Sequence, residues 1–434
     1  MKKQLIFSVF LSFQDKRNKL VIFNKLYPVP VYITKKEWKS FKINHQNNKK
    51  LLKLFLKTKI IINSKKEDKD LLYNYIDKQE KILNKPSTLY LVLTKNCNLK
   101  CRYCLVDQSC DMMSTRVARK GIRLWANNFK NNEKCFIVFY GGEPILNIET
   151  FIDSLKYIDN LKKKNRISKK VSIILSTNGI LIKQELLKVL KKYKVYVVVG
   201  LDGKRKPNDF YRKDKNNKGT FLKTIEIIKI LQKNKIKTGI STAITPKNAK
   251  EANNLSLFLK KYKIKEFGFN VLRGKDLKFL SSEKNRKEYY NKVAKVIINN
   301  YLNSKNTGVV ETQMKKRITS FKNKACLIDC GGYGNQIVIQ PNGDISNCPF
   351  LNNKLFNIKN IKNKLIINSH AIIKAWRKRL PLYDKKCLDC DAVSICGGGC
   401  PWNAKETNKD FIKKDNSVCI INKKIFNLLI WSKI

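Results

Sequence analysis

The sequence predicts an α/β protein: a partial (β/α)6 TIM-like barrel, preceded by a small winged-helix-like α+β region and followed by a cysteine-rich region. Between residues 85 and 300, near-continuous apolar runs alternate with lysine-rich amphipathic segments, a pattern typical of buried parallel strands and their covering helices. Residues 1–84 contain no cysteine, whereas residues 301–434 contain eight of the 13 cysteines. We therefore expect three domains, at 1–84, 85–300 and 301–434.

The amino-terminal region combines short β-like runs with helical stretches. The runs LIFSVFLSF, KLVIFNK and VPVYIT precede the helical stretches TKKEWKSFK and KKLLKLFLK, and a strand (KIIIN) and a polar helix from about Glu67 to Leu83 follow. The first residues imitate a signal peptide, but Gln4, Ser8 and Ser12 interrupt the apolar run and no small-residue cleavage site follows. We predict a strand there, and a helix pair with a wing for the whole region.

Six apolar runs form the predicted barrel strands: LYLVLT, CFIVFYGG, VSIILSTNG, VYVVVGLDG, IKTGISTAIT and EFGFNVLRG. The cysteine-rich stretch CNLKCRYC follows the first run, and GGEP, TNG and LDG close the next three. Functional loops of such a barrel lie at the carboxyl ends of its strands. The sequence therefore predicts that these four segments meet at one site.

The cysteine-rich region has glycine clusters (CGGYGNQ, CGGGC) and little regular periodicity. Because so much glycine opposes regular apolar packing, we expect this region to be built around metals. Cysteines that cluster like ligands also argue against a secreted disulfide protein, so we expect a cytoplasmic location.

The charge of the chain is extreme: 91 Lys and Arg against 33 Asp and Glu give a net charge of +58. It is compatible with a polyanionic partner or with compositional drift, since the lysines are spread along the whole chain. Basic segments interleaved with aromatic residues are not evident, which makes nucleic acid an unlikely partner. No apolar run of about 18 residues occurs, so we expect no membrane span.

The stretch CNLKCRYC supplies three cysteines, Cys97, Cys101 and Cys104, where a complete metal cage takes four ligands. Three thiolates from one loop leave one coordination position of the metal site open, where substrate chemistry can take place. This CxxxCxΦC spacing, with Tyr103 before the last cysteine, resembles the radical S-adenosylmethionine (SAM) superfamily. The resemblance implies a [4Fe–4S] cluster whose open iron binds the methionine moiety of SAM, and whose reduction yields a 5′-deoxyadenosyl radical.

The same resemblance implies further SAM-binding residues at the ends of later strands. GGEP falls where the family binds the amino group, and STNG, LDG and the arginine after them fall where it contacts the ribose and carboxylate. The implied SAM contacts are Tyr103, Gly141, Gly142, Glu143, Pro144, Ser176, Asn178, Asp202 and Arg212. Relatives usually have serine two residues before the aspartate, whereas this chain has Gly200, which leaves the ribose contact at that position open.

The carboxyl-terminal cysteines resemble the SPASM domain of peptide-modifying radical enzymes, which carries auxiliary iron–sulfur clusters. The spacing runs from Cys330 through Gly343 to Cys348, and then through C-x2-C-x5-C-x3-C to a last cysteine. The resemblance assigns the first auxiliary cluster to Cys330, Cys348 and Cys400, and the second to Cys387, Cys390, Cys396 and Cys419.

Three questions about the cysteines stay open at this point. Cys326 either completes the first auxiliary cluster or is free, which would leave an open iron for a substrate thiolate. Zinc is the competing metal, because C-x2-C with C-x3-C is also a zinc-ribbon spacing. Cys110 and Cys135 are expected to be small buried hydrophobic residues, although Cys110 lies close enough to the three-cysteine loop to face its cavity.

The resemblance implies an enzyme that modifies a ribosomally synthesised peptide. The amino-terminal region looks like the PqqD-like domain, which binds a leader peptide by adding a strand to a sheet edge, and a basic edge would favour an acidic leader. The product expected is a thioether, as in sactisynthase-like maturases, or a C–C crosslink. Cofactors would be SAM and three [4Fe–4S] clusters, with the precursor peptide and a reductant such as flavodoxin or ferredoxin as partners.

Two other functions remain as alternatives. One is modification of RNA, suggested only by the charge. The other is modification of another protein, as in the sulfatase maturases. These have an aspartate after the cysteine that matches Cys348, as a candidate base, whereas this chain has Pro349.

Overall fold

The structure is a computed structural model. It describes residues 5–127, 134–274, 279–280, 282–323, 328–351, 353–362 and 366–432. Among these residues, no helix is long and apolar enough to cross a membrane.

The amino-terminal region is a three-stranded antiparallel meander, β2–β3–β4, covered by helices, with a separate β1–β5 pair. Its elements are β1 (Ile6–Phe7), β2 (Leu11–Lys16), β3 (Lys19–Asn24), β4 (Val31–Thr34), α1 (Lys35–Ile43), α2 (Lys49–Lys57), β5 (Ile61–Ile62) and α3 (Lys65–Leu83). One sheet face packs on Phe41 and Phe55 of the helix pair, forming a small core of its own. The strand and helix order is that expected from the sequence.

One predicted strand of this region is in fact two strands. Between β1 and β2 the chain turns, and the Leu11 N–H donates to the Ser8 carbonyl at 3.1 Å. Asp68 of α3 holds this turn, because its carboxylate accepts from the Ser8 hydroxyl at 2.6 Å and from the Val9 N–H at 2.7 Å. The continuous apolar run gave no sign of this turn, because the turn depends on the Asp68 carboxylate, which is distant in sequence.

A largely parallel ten-stranded sheet forms the centre of the molecule, with the order β12-β11-β10-β9-β8-β7-β6-β13-β14-β15. All neighbours from β12 to β13 are parallel, and β14 and β15 are antiparallel additions. Among the described strands, the two edges do not pair with each other, so the barrel is open as expected. The strands are β6 (Thr88–Thr94), β7 (Phe136–Gly141), β8 (Ser172–Thr177), β9 (Tyr196–Gly200), β10 (Thr238–Ile244), β11 (Glu266–Val271), β12 (Val310–Glu311), β13 (Gln336–Ile339), β14 (Asp344–Ser346) and β15 (Phe356–Asn357).

The six predicted barrel strands correspond to β6 to β11. Few of their side chains are exposed, because helices and the carboxyl-terminal region cover the sheet. Burial is almost continuous in β10, whereas buried and half-buried residues alternate in β8. The register between β6 and β7 shifts between Val92 and Thr94, which sets Thr94 opposite Gly141. This irregularity lies immediately before the three-cysteine loop.

Helices follow the central strands in the expected alternation. They are α4 (Thr115–Ala126), α5 (Ile148–Lys163), α6 (Gln184–Lys192), α7 (Arg205–Tyr211), α8 (Phe221–Lys233), α9 (Ala249–Ala252), α10 (Leu255–Lys260) and α11 (Glu283–Thr307). The Ser114 hydroxyl caps α4 by accepting from the Val117 N–H, and Gly308, with φ 68°, ends α11. The expected domain boundary at 300/301 lies inside α11, and the division into three domains stays a prediction.

The carboxyl-terminal region has more regular structure than its sequence suggested. Its helices are α12 (Thr312–Asn323), α13 (Ala371–Arg377), α14 (Lys385–Leu388), α15 (Pro401–Asn408) and α16 (Asn416–Trp431). In α16 the buried side chains Val418, Ile421, Ile425 and Leu429 recur every three or four residues, the spacing of one helix face. The prediction of little periodicity was therefore wrong for this segment.

Candidate functional site

A cavity of about 250 Å³ opens at the carboxyl ends of the central strands. The segments that the sequence predicts to meet there do so. The cavity is lined by Cys97, Leu99, Cys101, Tyr103, Cys104, Leu105, Val106, Gln108, Tyr140, Gly141, Gly142, Ser176, Thr177, Asn178, Gly200, Arg212, Ser241, Ala243, Asn270, Val271, Leu272, Arg273 and Phe350.

Backbone hydrogen bonds from neighbouring strands fix the loop 97–104. Gly142 N–H donates to the Thr94 carbonyl at 2.9 Å, and Glu143 N–H donates to the Asn96 carbonyl at 2.8 Å. Side chains at Gly141 and Gly142 would overlap the carbonyl oxygens of Thr94 and Asn96. The absence of side chains at these two positions therefore lets the backbone of Thr94 and Asn96 approach closely.

The three thiols of the loop all line the cavity. Cys97 is buried, and its Sγ accepts from the Leu99 N–H at 3.3 Å and from Asn178 Nδ2 at 3.9 Å. Burial raises the pKa of Cys97 to about 11 and that of Cys101 to about 12, while the Arg212 cation opposes the rise at Cys101. Three thiols in one cavity wall, with N–H donors aimed at sulfur, fit a metal cluster, because binding of a cation displaces the thiol proton.

Glu143 is fully buried and connects the ends of β7 and β8. Its carboxylate accepts from the Thr177 hydroxyl and from the Asn178 N–H, both at 2.8 Å. Burial raises the pKa of Glu143 to about 7, against the effect of these hydrogen bonds. Glu143 therefore fixes the position of Asn178, whose amide reaches the Cys97 sulfur.

Asp202, also fully buried, organises the opposite wall. Its carboxylate accepts from the Tyr103 hydroxyl, from Arg212 Nε at 3.0 Å and from the Ala243 N–H at 2.8 Å. Burial alone would lower the pKa of Arg212. The negative charge of Asp202 and smaller effects of Tyr103 and Cys101 outweigh burial, so that the pKa is raised. A Cβ at Gly200 would lie 2.5 Å from Arg212 Nη1, so the missing side chain makes room for the guanidinium.

The predicted SAM contacts divide into two sets. Those that line the cavity are Tyr103, Gly141, Gly142, Ser176, Asn178 and Arg212. Glu143, Pro144 and Asp202 are buried and do not line the cavity. Glu143 and Asp202 instead position the cavity residues Asn178 and Arg212 by hydrogen bonds.

A second group of cysteines, Cys330, Cys348 and Cys400, lies near this cavity. Burial raises the pKa of Cys330 and of Cys348 to about 12, and negative charge on the other thiols of the group adds to the rise. The cavity-lining Arg273 is close enough to Cys400 and Cys330 for both to affect its pKa. The predicted further ligand, Cys326, lies outside the described residues.

The third group comprises the cysteines predicted for the second auxiliary cluster. Burial raises the pKa of Cys419 to about 11, and Cys387 and Cys390 contribute to this rise. Burial also raises the pKa of Cys396, with a smaller contribution from Cys419. Among the described residues, no three His, Cys, Asp or Glu side chains are placed to bind a single metal ion. The assignment of these cysteines to two ligand sets therefore stays a prediction.

The two remaining cysteines differ from each other. Cys135 is fully buried, as expected. Cys110 is exposed and does not line the cavity, so the expectation that it is buried was wrong. It lies in the turn between the three-cysteine loop and α4, which leaves it on the surface.

The cavity residues that sequence reasoning missed include Tyr140, Phe350 and Arg273. The Tyr140 ring packs on Phe350 at 5.7 Å between centroids, and Cys104 and Cys348 both affect the pKa of Tyr140, so this side chain lies between the first and second cysteine groups. Arg273 follows the sixth apolar run in the segment LRG. The strand-end rule that selected GGEP and LDG would have selected it as well.

Comparisons with known proteins agree with this geometry. Residues 91–259 match the radical SAM superfamily. A cysteine-type anaerobic sulfatase-maturating enzyme of Clostridium novyi is 27% identical over 360 residues, which cover 78% of this chain and 94% of that protein. The subtilosin biosynthesis protein AlbA of Bacillus subtilis is 26% identical (73% and 67% covered), and an uncharacterized protein of Methanocaldococcus jannaschii is 30% identical (64% and 90% covered).

Solved structures share the fold. The structure of native anSMEcpe with bound AdoMet and the Cp18Cys peptide superposes with a TM-score of 0.65 at 23% identity, covering 78% of this chain and 95% of that chain. Streptococcus suis SuiB bound to its precursor peptide SuiA superposes with a TM-score of 0.52 at 17% identity, covering 96% and 100%. The second likeness extends over the amino-terminal region.

Proposed function

Because this chain belongs to the radical SAM superfamily of enzymes, we propose that it modifies a ribosomally synthesised peptide. One observation carries the proposal: a single cavity borders the three-cysteine loop and reaches Arg273 and Phe350, beside the second group of cysteines. A peptide side chain in this cavity would lie between the two groups. Similarity to AlbA, a protein of bacteriocin biosynthesis, supports a peptide as the substrate.

The residues of the cavity fit SAM and a [4Fe–4S] cluster. Cys97, Cys101 and Cys104 would hold the cluster, and the cation of Arg212 would bind the SAM carboxylate. When bound, cluster and SAM supply a 5′-deoxyadenosyl radical that abstracts hydrogen from the peptide. The chain itself positions the peptide and excludes water, for which the cavity has the apolar side chains of Leu272 and Phe350.

The two other groups would hold auxiliary [4Fe–4S] clusters. Cys330, Cys348 and Cys400, with Cys326, form one ligand set, and Cys387, Cys390, Cys396 and Cys419 form the other. Forming a thioether removes a hydrogen atom from carbon, a proton from the peptide thiol and one electron, for which an auxiliary cluster would be the acceptor. The electron for SAM cleavage would come from a reductant such as flavodoxin or ferredoxin.

Iron and sulfide content tests this proposal. We expect about 12 irons per chain in anaerobically purified protein, and about 8 after Cys97, Cys101 and Cys104 are all changed to alanine. Reduced wild-type protein should also cleave SAM to 5′-deoxyadenosine, and the triple variant should not. Zinc in place of iron in the carboxyl-terminal region, with at most about 4 irons, would contradict the auxiliary clusters.

A second candidate function is the conversion of a sulfatase cysteine. This function is favoured by the similarity to the sulfatase-maturating enzyme, because the aligned region covers 94% of that protein. Pro349 opposes it, since proline cannot replace a carboxylate as a base. The test between the two functions is to incubate the reduced enzyme with a synthetic peptide that carries a sulfatase target cysteine. Only a sulfatase-maturating enzyme should convert that cysteine to an aldehyde.

A further inference from the structure

Arg379 is a buried cation that has no carboxylate partner among the described residues. Only 4% of this residue is exposed. Its Nε donates to the Lys413 carbonyl at 3.1 Å, and its Nη1 donates to the Tyr333 hydroxyl. Its Nη2 is buried as well, and no described residue accepts a hydrogen bond from it. Because burying a charge is costly unless an anion balances it, an anion next to Arg379 is expected.

Three other largely buried arginines have such a partner. Their side chains are between 6% and 13% exposed, and each forms an ion pair with a carboxylate. The pairs are Arg212 with Asp202 at 3.0 Å, Arg317 with Asp329 at 3.5 Å and Arg377 with Glu80 at 2.7 Å. Arg379 differs from them, so the anion that balances it is not a carboxylate of the described residues.

Tyr333 connects Arg379 to the second group of cysteines. Its hydroxyl, which accepts from Arg379, donates to the Gly399 carbonyl at 3.1 Å, and Gly399 immediately precedes Cys400. The Tyr333 N–H donates to the Cys330 carbonyl at 3.5 Å. Cys330 also packs against the buried apolar cluster that contains Tyr333. Arg379 is therefore joined to two cysteines of this group through one side chain.

The charge of Arg379 acts on this group of cysteines. Burial raises the pKa of Cys330 to about 12, and the positive charges of Arg273 and Arg379 oppose that rise. Thiolates and the sulfides of an iron–sulfur cluster are anions that accept hydrogen bonds from such donors. A cluster held by Cys330, Cys348 and Cys400 would thus supply the anion that Arg379 lacks.

We propose that Arg379 donates from Nη2 to a sulfur atom of the first auxiliary cluster and raises the reduction potential of that cluster. Each electron taken up adds one negative charge, so a nearby fixed cation stabilises the reduced state more than the oxidised state. Arg379 thereby sets how readily this cluster accepts the electron that thioether formation releases. The inference rests on the auxiliary clusters of the proposed function.

Redox titration followed by EPR tests the inference on the anaerobically purified full-length protein. Arg379→Gln lacks the charge. At the wild-type midpoint potential its ratio of reduced to oxidised first auxiliary cluster should be at least about tenfold lower, a shift of about 59 mV for one electron. The double variant Cys387→Ala/Cys419→Ala, which removes two ligands of the second auxiliary cluster, identifies the signal of the first.

Arg377→Gln is the matched control. Arg377 also lies largely buried, two residues earlier, and its Nε donates to the Tyr333 carbonyl at 2.8 Å. Its charge is already balanced by Glu80, so its removal should leave both auxiliary potentials as they are in the wild type. Arg379→Lys keeps the positive charge and should shift the potential less than Arg379→Gln does.

Several results would overturn the inference. These are an unchanged potential in Arg379→Gln with about 12 irons retained, an equal shift in Arg377→Gln, and an equal shift of both auxiliary clusters. If Arg379→Gln loses the irons of the first auxiliary cluster, Arg379→Lys decides. Retention of about 12 irons in the lysine variant supports the role of the charge, whereas loss of irons there as well contradicts it.

SAM cleavage reports on the proposed function separately, because Arg379 does not line the cavity beside the three-cysteine loop. If the expected redox shift is found but the reduced wild-type protein does not cleave SAM, the proposed function is contradicted and the inference on Arg379 is supported.

Discussion

Gly200 shows how a missing side chain shapes the cavity. A Cβ at this position would lie 2.5 Å from Arg212 Nη1 and 2.8 Å from Cζ. The guanidinium occupies this space because Asp202, buried beside it, holds Arg212 Nε at 3.0 Å. The absence of a side chain at residue 200 therefore leaves room for the Arg212 guanidinium in the cavity wall.

Gly200→Ser should therefore weaken SAM binding, by about tenfold, because it displaces the Arg212 cation. Equilibrium dialysis of SAM against the anaerobic protein measures this effect. In a double-mutant cycle, Gly200→Ser should have no further effect once Arg212 is alanine. Additive losses would show that Gly200 acts independently of Arg212.

Glu143 should make stability depend on pH in an unusual direction. Its pKa in the folded protein is about 7, above the ordinary value of 4.5, so the folded state binds the proton more tightly than the unfolded state does. The contribution of Glu143 to stability is thus fully present below about pH 4.5 and is lost as the pH rises through about 7.

Comparing the wild type with Glu143→Gln checks this expectation. Between pH 4.5 and 7 the wild type should lose up to about 3 kcal/mol relative to the variant, which cannot titrate. Anaerobic thermal unfolding at several pH values measures the difference. A stability difference between the wild type and Glu143→Gln that does not change with pH would contradict the raised pKa of Glu143.

At the scale of elements, the end of β7 supports the three-cysteine loop. The register shift between Val92 and Thr94 brings Thr94 opposite Gly141. Two residues further along each segment, the Glu143 N–H donates to the Asn96 carbonyl at 2.8 Å. The loop is therefore held by the neighbouring strand as well as by its own sequence.

Gly142→Ala should disrupt this support, because its Cβ would overlap the Asn96 carbonyl, a backbone atom that cannot rotate away. We expect loss of the irons of the first cluster, about 4 of about 12, with the auxiliary clusters retained. Iron analysis measures it. Gly121→Ala on α4 is the control and should keep all the irons, because the nearest atoms to its Cβ would belong to the side chains of Ile339 and Ile358.

At the scale of the whole molecule, the amino-terminal sheet packs on the last helix of the chain. Phe23 of β3 contacts Phe426 of α16 at 5.3 Å between ring centroids. The Tyr32 hydroxyl donates to the Ile430 carbonyl at 2.6 Å, and Trp431 Nε1 donates to Gln14 at 3.0 Å. Of these residues, Gln14 and Trp431 also line an opening of about 1000 Å³ between β2 and α16.

Phe426→Ala should destabilise the protein by about 3–5 kcal/mol, the usual cost of removing a buried aromatic ring. Because the lost contacts join the two ends of the chain, limited proteolysis should release the first 84 residues more readily. The thermal midpoint and the cleavage pattern measure both effects. Leu222→Ala, at a side chain 60% exposed, should change neither.

The sequence predicted much of this molecule because the signals concerned are local. Six apolar runs and the helices between them define the parallel sheet, and the first cluster loop takes its three thiols from eight consecutive residues. The rule that strand ends meet at one edge then placed the segment STNG beside the three-cysteine loop, whereas Arg212 was implied only by the resemblance to the radical SAM superfamily.

What the sequence by itself determined was the fold class and the edge of the sheet where the site lies, since both follow from patterns along the chain. The tertiary structure decided which side chains face the cavity: Glu143 and Asp202 lie behind the wall, while Tyr140, Arg273 and Phe350 complete it. It also decided that Gly200 makes room for Arg212 and that β2 is an edge strand of the amino-terminal sheet. These outcomes depend on contacts between residues distant in the chain, which no local pattern records.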